Sequence, residues 1–425
     1  MIDIKLIREN PEKFKTACKA KKIPADIDLL MNIDSQLSDS RKKLQDIVTT
    51  KNQIGKSIPK MAGDEKQAAL SRLSELKKQE AGLEEKIENL TPQFDQIMQQ
   101  VAQPADDDVP FGEDDTQNVE IKKVGQVRKF DFEPKDHVQL GLALDIMDIE
   151  RGVRLAGARN YFLKGDGALL HWAVLRFAID FMTAKGYVPM SVPLLMKDEA
   201  MQGTGYFPGS EEQTYQMERD QLSLAGTAEV PVTAYYMGEI LNVDELPKKF
   251  VALSTCFRRE AGSAGKDTYG LYRIHQFDKV EQVIVCENSL QESNKFHEEI
   301  LANSEGIMQA LELPYRVVVV CTGDLGRGQA KKYDIEAWMP SRKNYCETHS
   351  ASKFYDFQAR RLNLRYKDPK TKKNQFCHTL NNTVIASPRV LIPLMELYQN
   401  SDGSITIPKV LRPYMGARER IARNS

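Results

Sequence analysis

Arg258 and Glu260 stand two residues apart in a segment rich in Val, Phe and Cys, and Arg273, Phe277, Lys279 and Glu281 follow close behind. If both segments are strands, alternation puts Arg258 with Glu260 on one face, and Arg273, Phe277, Lys279 and Glu281 on a shared face of the returning strand. A cation, an aromatic ring and a carboxylate then lie within one short stretch. Such a face is either an exposed salt-bridge ladder or a ligand site working through charge and stacking, and spacing alone leaves both open.

Familiar nucleotide loops are absent. The stretch AGSAGKD looks like a phosphate loop, but Glu260 stands where a Walker A motif needs glycine and Asp267 where it needs Ser or Thr. Gly323, Gly326 and Gly328 lack the spacing of a dinucleotide-binding turn. Any ATP is therefore held differently. Cys18, Cys256, Cys286, Cys321, Cys346 and Cys377 form no C-x-x-C pair, which gives neither a disulfide framework nor a zinc site.

The elements that would position these residues follow from the pattern. Phe250 to Glu260 and His275 to Cys286 read as strands joined by the Gly-rich loop AGSAGKDTYG, a hairpin with a long loop. Ser289 and Glu292 form a capping box that opens an amphipathic helix. Strands follow at Tyr315 to Cys321 and Lys332 to Met339, and a last helix from Pro388. Paired strands followed by separate helices predict an antiparallel sheet of α+β type.

The first hundred residues carry a different period. Leu30, Leu37, Leu44 and Ile58 keep one sevenfold register and Ile33, Ile47 and Ile54 a second; beyond Pro59 and Gly63, Leu76, Leu83, Leu90 and Ile97 interleave with Leu73, Ile87, Phe94 and Val101. Two helices joined by a short turn should pack antiparallel as a projecting coiled-coil arm roughly 45 to 55 Å long, at about 1.5 Å per residue. Between the seam positions lie Arg41, Lys42, Lys43, Lys51, Lys56, Lys60, Arg72, Lys77, Lys78 and Lys86, mixed with acids. That is a solvated face or an RNA contact, and charge alone does not choose. Pro104, three aspartates and Pro110 mark a linker, so the expected organisation is an N-terminal domain over 1–104, a linker over 105–118 and a second domain over 119–425.

The 425 residues exceed what one core usually supports. With 41% apolar and 28% charged residues, the composition fits a soluble globular protein. No run of eighteen apolar residues suggests a membrane span, and MIDIKLIREN does not read as a secretory signal, so cytoplasm is the expected location. A net charge of −1 gives no general basic character, and any RNA binding must come from local patches.

TCFRREAGSAGKDTYGLYRIHQFDKVE, Thr255 to Glu281, resembles motif 2 of the bacterial seryl-tRNA synthetases, a class II aminoacyl-tRNA synthetase family. GYVPMSVPLLM with Pro193 resembles motif 1 and GTAEVPVTAYY the serine-site loop, while DFQARRLNLRY, HTLN and VLRPYMG resemble later signatures. The resemblance covers nearly the whole chain, arm included. It implies a ligase that activates serine with ATP to seryl-adenylate, releases pyrophosphate, and transfers serine to the 3′ end of tRNA(Ser), and of tRNA(Sec) where present. It also implies a homodimer through motif 1, tRNA binding by the arm, and Mg²⁺ accompanying ATP.

The same resemblance assigns residues. Arg258 would hold the α-phosphate and the serine carboxylate side of the forming anhydride, with Arg389 as the second catalytic arginine. Arg273 and Arg389 would grip the outer phosphates, Glu260 read the adenine amino group, Phe277 stack under the ring, and Arg259, Thr348 and His349 complete the ATP site. Glu347 and Ser350 would hold Mg²⁺, and Thr227, Ala228, Glu229, Arg258, Glu281 and Thr383 would surround serine. Attack by a carboxylate on the α-phosphate needs stabilised phosphoryl charge and no covalent nucleophile. The serine carboxylate is already ionised, so His275 is expected to fix the hairpin rather than act as a base. The chain departs from the family pattern in Thr348 to Phe354 after the metal carboxylate, in Thr383 for the serine-binding serine, and in Pro388 for the motif 3 glycine. Ser387 as N-cap and Pro388 at the first helical position would start the last helix, and Pro393 should bend it. Two other readings, a carrier-protein ligase and a catalytically dead RNA-binding paralogue, are disfavoured by the arm and by the presence of Arg258, Glu281 and Arg389.

Overall fold

The computed structural model describes residues 1–261 and 269–423. The chain divides into two compact units, Met1–Pro104 and Ala105–Ser425. Residues 262–268 of the expected Gly-rich loop lie outside the described residues.

In the first unit, α1 (Ile4–Glu9) and α2 (Pro11–Ala20) precede the long helices α3 (Ile27–Ser57) and α4 (Gly63–Gln100). The Asp26 side chain accepts the Leu29 N–H at 2.9 Å and caps α3, satisfying one of the donors a helix start leaves orphaned. With 31 residues α3 is about 46 Å long. None of the heptad positions named above is exposed. Only Leu30, Ile33, Leu37, Leu76 and Val101 are fully buried, because two helices alone shield one narrow stripe. Lys51 pairs with Glu80 across the seam.

The second unit is built on an eight-stranded sheet. Its strands are β1 (Val119–Val124), β2 (Val188–Met190), β3 (Lys248–Phe257), β4 (Gln276–Cys286), β5 (Tyr315–Val319), β6 (Lys331–Met339), β7 (Asn344–Tyr355) and β8 (His378–Ser387). Their spatial order is β1-β5-β6-β7-β8-β4-β3-β2, antiparallel throughout except for β2 beside β3. This is the α+β arrangement anticipated from the pattern. Helices α5 (Asp166–Ala184) and α6 (Leu290–Ala310) cover one face, where Val280, Ile284, Ile335, Leu380 and Val384 meet Ala178 and Ile300. Helix α5 is long and apolar enough to cross a membrane by length and composition, although Asp166, Arg176 and Asp180 interrupt its apolar residues, and Leu170, Val174, Ala178 and Met182 belong to this core. Ser289 accepts the Glu292 N–H and caps α6.

Residues 105–118 carry only one short helical turn and are bonded to the second unit. Asp106 pairs with Lys353 at 2.6 Å and accepts the Tyr355 hydroxyl at 2.7 Å, and Gly112 accepts the Gly323 N–H. The last helix differs from the sequence reading. Ser387 ends β8 instead of capping a helix, and α7 spans Leu391–Tyr398 with Val390 at its N-cap. Pro393 therefore falls in the first turn, where the missing N–H would have no intrahelical acceptor, so it costs no helix bond and needs no bend.

Three buried histidines give this unit an acid limit. Burial pushes His297 down to about 3, and His349 and His378 down to about 4. His297 donates from Nε2 to the Ala351 carbonyl at 3.0 Å and stacks on Tyr333. Each binds a proton in the unfolded chain below about pH 6.5 and refuses it when folded, so their contribution is intact at pH 7 and is lost as pH falls toward 4. The unfolding free energy from urea titrations should drop over that window by up to about 1.4 kcal/mol per pH unit for each histidine. His297→Gln should flatten the slope, and an unchanged slope would place the acid sensitivity in other groups.

Candidate active site

The site is assembled where β3 ends and β4 begins. Phe257 pairs with Gln276 and Cys256 with Phe277. Beyond them the Arg258 N–H donates to the His275 carbonyl at 2.9 Å, and His275 Nδ1 bonds back to the Arg258 carbonyl at 3.0 Å. His275 thus closes the hairpin, as expected. Glu260 does not share a strand face with Arg258, because β3 stops at Phe257 and Glu260 sits at φ +52°. This turn still carries its carboxylate to the same cleft, where it meets Arg273 Nη1 at 2.8 Å. Arg273 likewise lies before β4 rather than in it.

Two bulges on the face away from α6 complete the cleft. The β6–β7 register slips between Ile335 and Glu336, leaving Thr348 unmatched, so Glu347 and Ser350 both line the cleft despite their odd spacing. The β4–β8 register slips between Val280 and Glu281, leaving Val384 unmatched, and Thr383 and Ala386 come to one face in the same way. Arg389 follows β8 and reaches the cleft with Nη1 on the Glu347 carbonyl at 3.2 Å.

Arg258, Glu260, Arg273, Phe277, Glu347, Thr348, Ser350, Thr383 and Arg389 are therefore brought together. The Arg258 guanidinium lies 5.2 Å from the Phe277 ring centre, and its Nε donates to the Gly226 carbonyl at 3.3 Å. The crowded cleft works against ionisation of Glu347, whose side chain is still 47% exposed, but Arg389, then Lys332, Arg258 and Arg273, outweigh it and hold the carboxyl below its ordinary range. The side chains of Arg259 and His349 are not part of the cleft lining. Arg259 is exposed. His349, paired with the core residue Ile335, is buried and bonds Thr348 Oγ1.

Deeper in, four buried polar residues form a chain. Lys279 donates to Thr227 Oγ1 at 2.7 Å and pairs with Glu281 at 2.5 Å, and the Thr383 hydroxyl donates to Glu281 at 3.4 Å. Glu229, the first residue of the short helix Glu229–Thr233, accepts bonds from the Tyr206 hydroxyl at 3.1 Å and Gln358 at 2.8 Å. Burial, and then the charge of Glu281, raise its carboxyl to about 7. Ala228 contributes no polar side chain and is fully buried against Phe250 and Val283. The sequence reading put Lys279 on the right face without a role and missed Tyr206 and Gln358, which reach Glu229 from 23 and 129 residues away. No local pattern signals contacts of that range.

Among the described residues no three His, Cys, Asp or Glu side chains cluster as a metal cage. An ionised carboxylate and a hydroxyl facing one cleft nevertheless fit Mg²⁺, a hard cation that takes one or two protein oxygens and completes its shell with water and phosphate. The cleft can hold an aromatic base and an anionic chain beside a small polar group, with fixed cations placed around the anion.

Comparison with known proteins gives the same direction. Residues 213–398 match the family described as tRNA synthetase class II core domain (G, H, P, S and T), and residues 1–103 match the seryl-tRNA synthetase N-terminal domain. The chain is 44% identical over 419 residues to the serine–tRNA ligase of Deinococcus radiodurans, covering 99% of this chain and 98% of that one. It is 43% identical to that of Fervidobacterium nodosum, covering 98% of each. Among solved structures it resembles seryl-tRNA synthetase from Pyrococcus horikoshii complexed with ATP, with TM-score 0.94, 36% identity and full coverage of both chains. It also resembles the cytoplasmic enzyme of Naegleria fowleri in complex with AMP, with TM-score 0.90, 31% identity, and 100% and 99% coverage.

Proposed function

The chain belongs to the seryl-tRNA synthetases, class II ligases that join serine to tRNA, and we propose that the cleft between β4, β7 and β8 is where it makes seryl-adenylate. One observation carries the assignment of roles. A single cleft joins arginines and an ionised carboxylate suited to a nucleotide with a buried Thr227–Lys279–Glu281–Thr383 chain suited to a small hydroxylated amino acid.

In the proposed step an oxygen of the serine carboxylate attacks the α-phosphorus of ATP, the new P–O bond forms, and pyrophosphate leaves with the electrons of the broken bridge. Arg258 meets the negative charge growing on the α-phosphoryl oxygens, while Arg273 and Arg389 hold the outer phosphates. Phe277 supports the adenine, and Glu260 accepts from its amino group. Glu347 and Ser350 would hold Mg²⁺, which supplies further neutralisation of phosphate charge. A ribose hydroxyl at the tRNA 3′ end then attacks the seryl carbonyl and AMP departs.

We assign tRNA(Ser) binding to the N-terminal hairpin and the cytoplasm as its place of work. We also assign a homodimer built on the motif 1 segment, supported by the exposed apolar side chains of Val188 and Leu195 in it and of Trp172 on α5. ATP–pyrophosphate exchange driven by serine tests the activation step, and charging of purified tRNA tests the second. Exchange driven by another amino acid in preference to serine would overturn the assignment.

Selectivity should reside in Glu281 and Thr383. A site built to hydrogen-bond the serine hydroxyl leaves buried groups unpaired when alanine enters, which rejects it by about 10⁴ to 10⁵. Threonine must be refused sterically, and the Thr383 methyl group narrows the space. Glu281→Gln removes the charge opposite Lys279 and should raise the KM for serine about tenfold or more, as expected for a buried charged hydrogen bond, with the KM for ATP little changed. Thr383→Ser should raise kcat/KM for threonine relative to serine by roughly tenfold, the scale set by one methyl group. An unchanged ratio would remove Thr383 from the filter.

A further inference from the structure

Three chain segments meet at one aromatic ring at the mouth of the cleft. Tyr272 lies in the stretch leading into β4, Arg342 ends the short turn after β6, and Arg389 follows β8. The Arg342 guanidinium carbon is 4.0 Å from the centre of the Tyr272 ring and that of Arg389 is 4.5 Å from it. The Tyr272 carbonyl also accepts from Arg389 Nε at 3.2 Å. The half-buried ring lines the cleft and packs against the core of the second unit, so it is a fixed surface.

We propose that Tyr272 is a positioning residue for Arg389, with Arg342 the second cation on the same ring, and that this stack sets the arginine fork for the outer phosphates of ATP before the nucleotide arrives. The inference rests on the reading of Arg389 as a phosphate ligand. An arginine with several rotatable bonds loses much freedom when it grips a phosphate, and holding it in place beforehand removes that loss from binding. The other attachments of Arg389 are to Glu347, through its carbonyl at 3.2 Å and its carboxylate at 3.7 Å. Glu347 is also the carboxylate assigned to Mg²⁺, whereas the ring holds Arg389 whether or not a metal is bound. The π electrons of the ring attract both guanidiniums and offset part of their mutual repulsion, at a mouth where Arg342 is exposed and Arg389 partly buried. Arg342 thereby adds positive charge at the entrance.

Pyrophosphate exchange with Tyr272→Leu, Tyr272→Phe, Arg389→Ala and the double variant Tyr272→Leu/Arg389→Ala tests this. Tyr272→Leu is expected to raise the KM for ATP about fivefold, the scale of a cation–π contact that keeps some exposure, while the KM for serine stays within about twofold. Tyr272→Phe keeps the ring and should restore most of the loss. In the Arg389→Ala background the leucine should add little, because Tyr272 acts through Arg389. Equal losses in the leucine and phenylalanine variants, parallel rises in both KM values, or a full additional loss in the double variant would each overturn the proposal. If Arg389→Ala alone left the KM for ATP and kcat at parent values, the reading of Arg389 itself would fail instead.

Discussion

Arg258→Ala is expected to slow serine-dependent pyrophosphate exchange by about 10² to 10³, equivalent to about 2.7–4 kcal/mol of transition-state stabilisation. The guanidinium is preorganised, with Nε on the Gly226 carbonyl and its plane near Phe277, so its remaining donors have a fixed direction before substrate binds. Charge on the α-phosphoryl oxygens grows during attack, so the loss should fall mainly on kcat and not on the KM for ATP. Lysine restores a charge but not two parallel N–H donors, and Arg258→Lys should stay within about tenfold of the alanine variant. Exchange near the parent rate in the lysine variant would show that a point charge suffices and would sink the bidentate reading.

The same region shows how much of the site could be read from order and spacing. Strand alternation correctly gathered Phe277, Lys279 and Glu281, since β4 is regular over that span. It gave a wrong reason for Glu260, which reaches the cleft through a left-handed turn residue after the strand has ended. Glu347 with Ser350 and Thr383 with Ala386 are three apart, a spacing that alternation sends to opposite faces. Each pair is reunited by a bulge, at Thr348 and at Val384. A bulge is decided by the partner strand, and nothing in the local sequence announces it. His349 illustrates the converse, because the bulge that brings Glu347 to the cleft leaves the histidine on the core side.

Elements governed by periodicity were more legible than those governed by termini. The heptads of α3 and α4 specify their own buried stripe, since a helix of 31 or 38 residues averages its signal over many turns. The last helix depends on a few residues, and Ser387 and Pro388 were plausible as a start only because an N-cap serine and an N1 proline resemble their roles in isolation. In the chain, Ser387 remains paired with Asp278 in the sheet, and its hydroxyl bonds His171 Nδ1 at 2.8 Å, so the helix begins later. Long-range pairing overrides a local capping preference there.

Removing the coiled-coil arm should separate the two reactions. Every side chain in the cleft belongs to Ala105–Ser425, and none of Met1–Pro104 contributes to it. Arg41, Lys42, Lys43, Lys56, Lys77, Lys78 and Lys86 are exposed along the arm. With a net charge of −1 over the whole chain, such a local row is the means by which this unit could hold an RNA backbone by shape and charge rather than by base readout. Excising Ile33 to Ile97 and closing the gap with a short flexible linker should leave serine-dependent pyrophosphate exchange near the parent level. Charging of tRNA(Ser) should fall by about 10³ or more, the usual gap between specific and non-specific nucleic-acid binding. The residual charging should also lose most of the salt dependence of the parent, because the phosphate contacts that release counterions are gone. A shortened protein that kept full exchange and still charged tRNA at the parent rate would assign the arm to another partner, whereas one that lost exchange as well would show that the arm supports the fold of the catalytic unit.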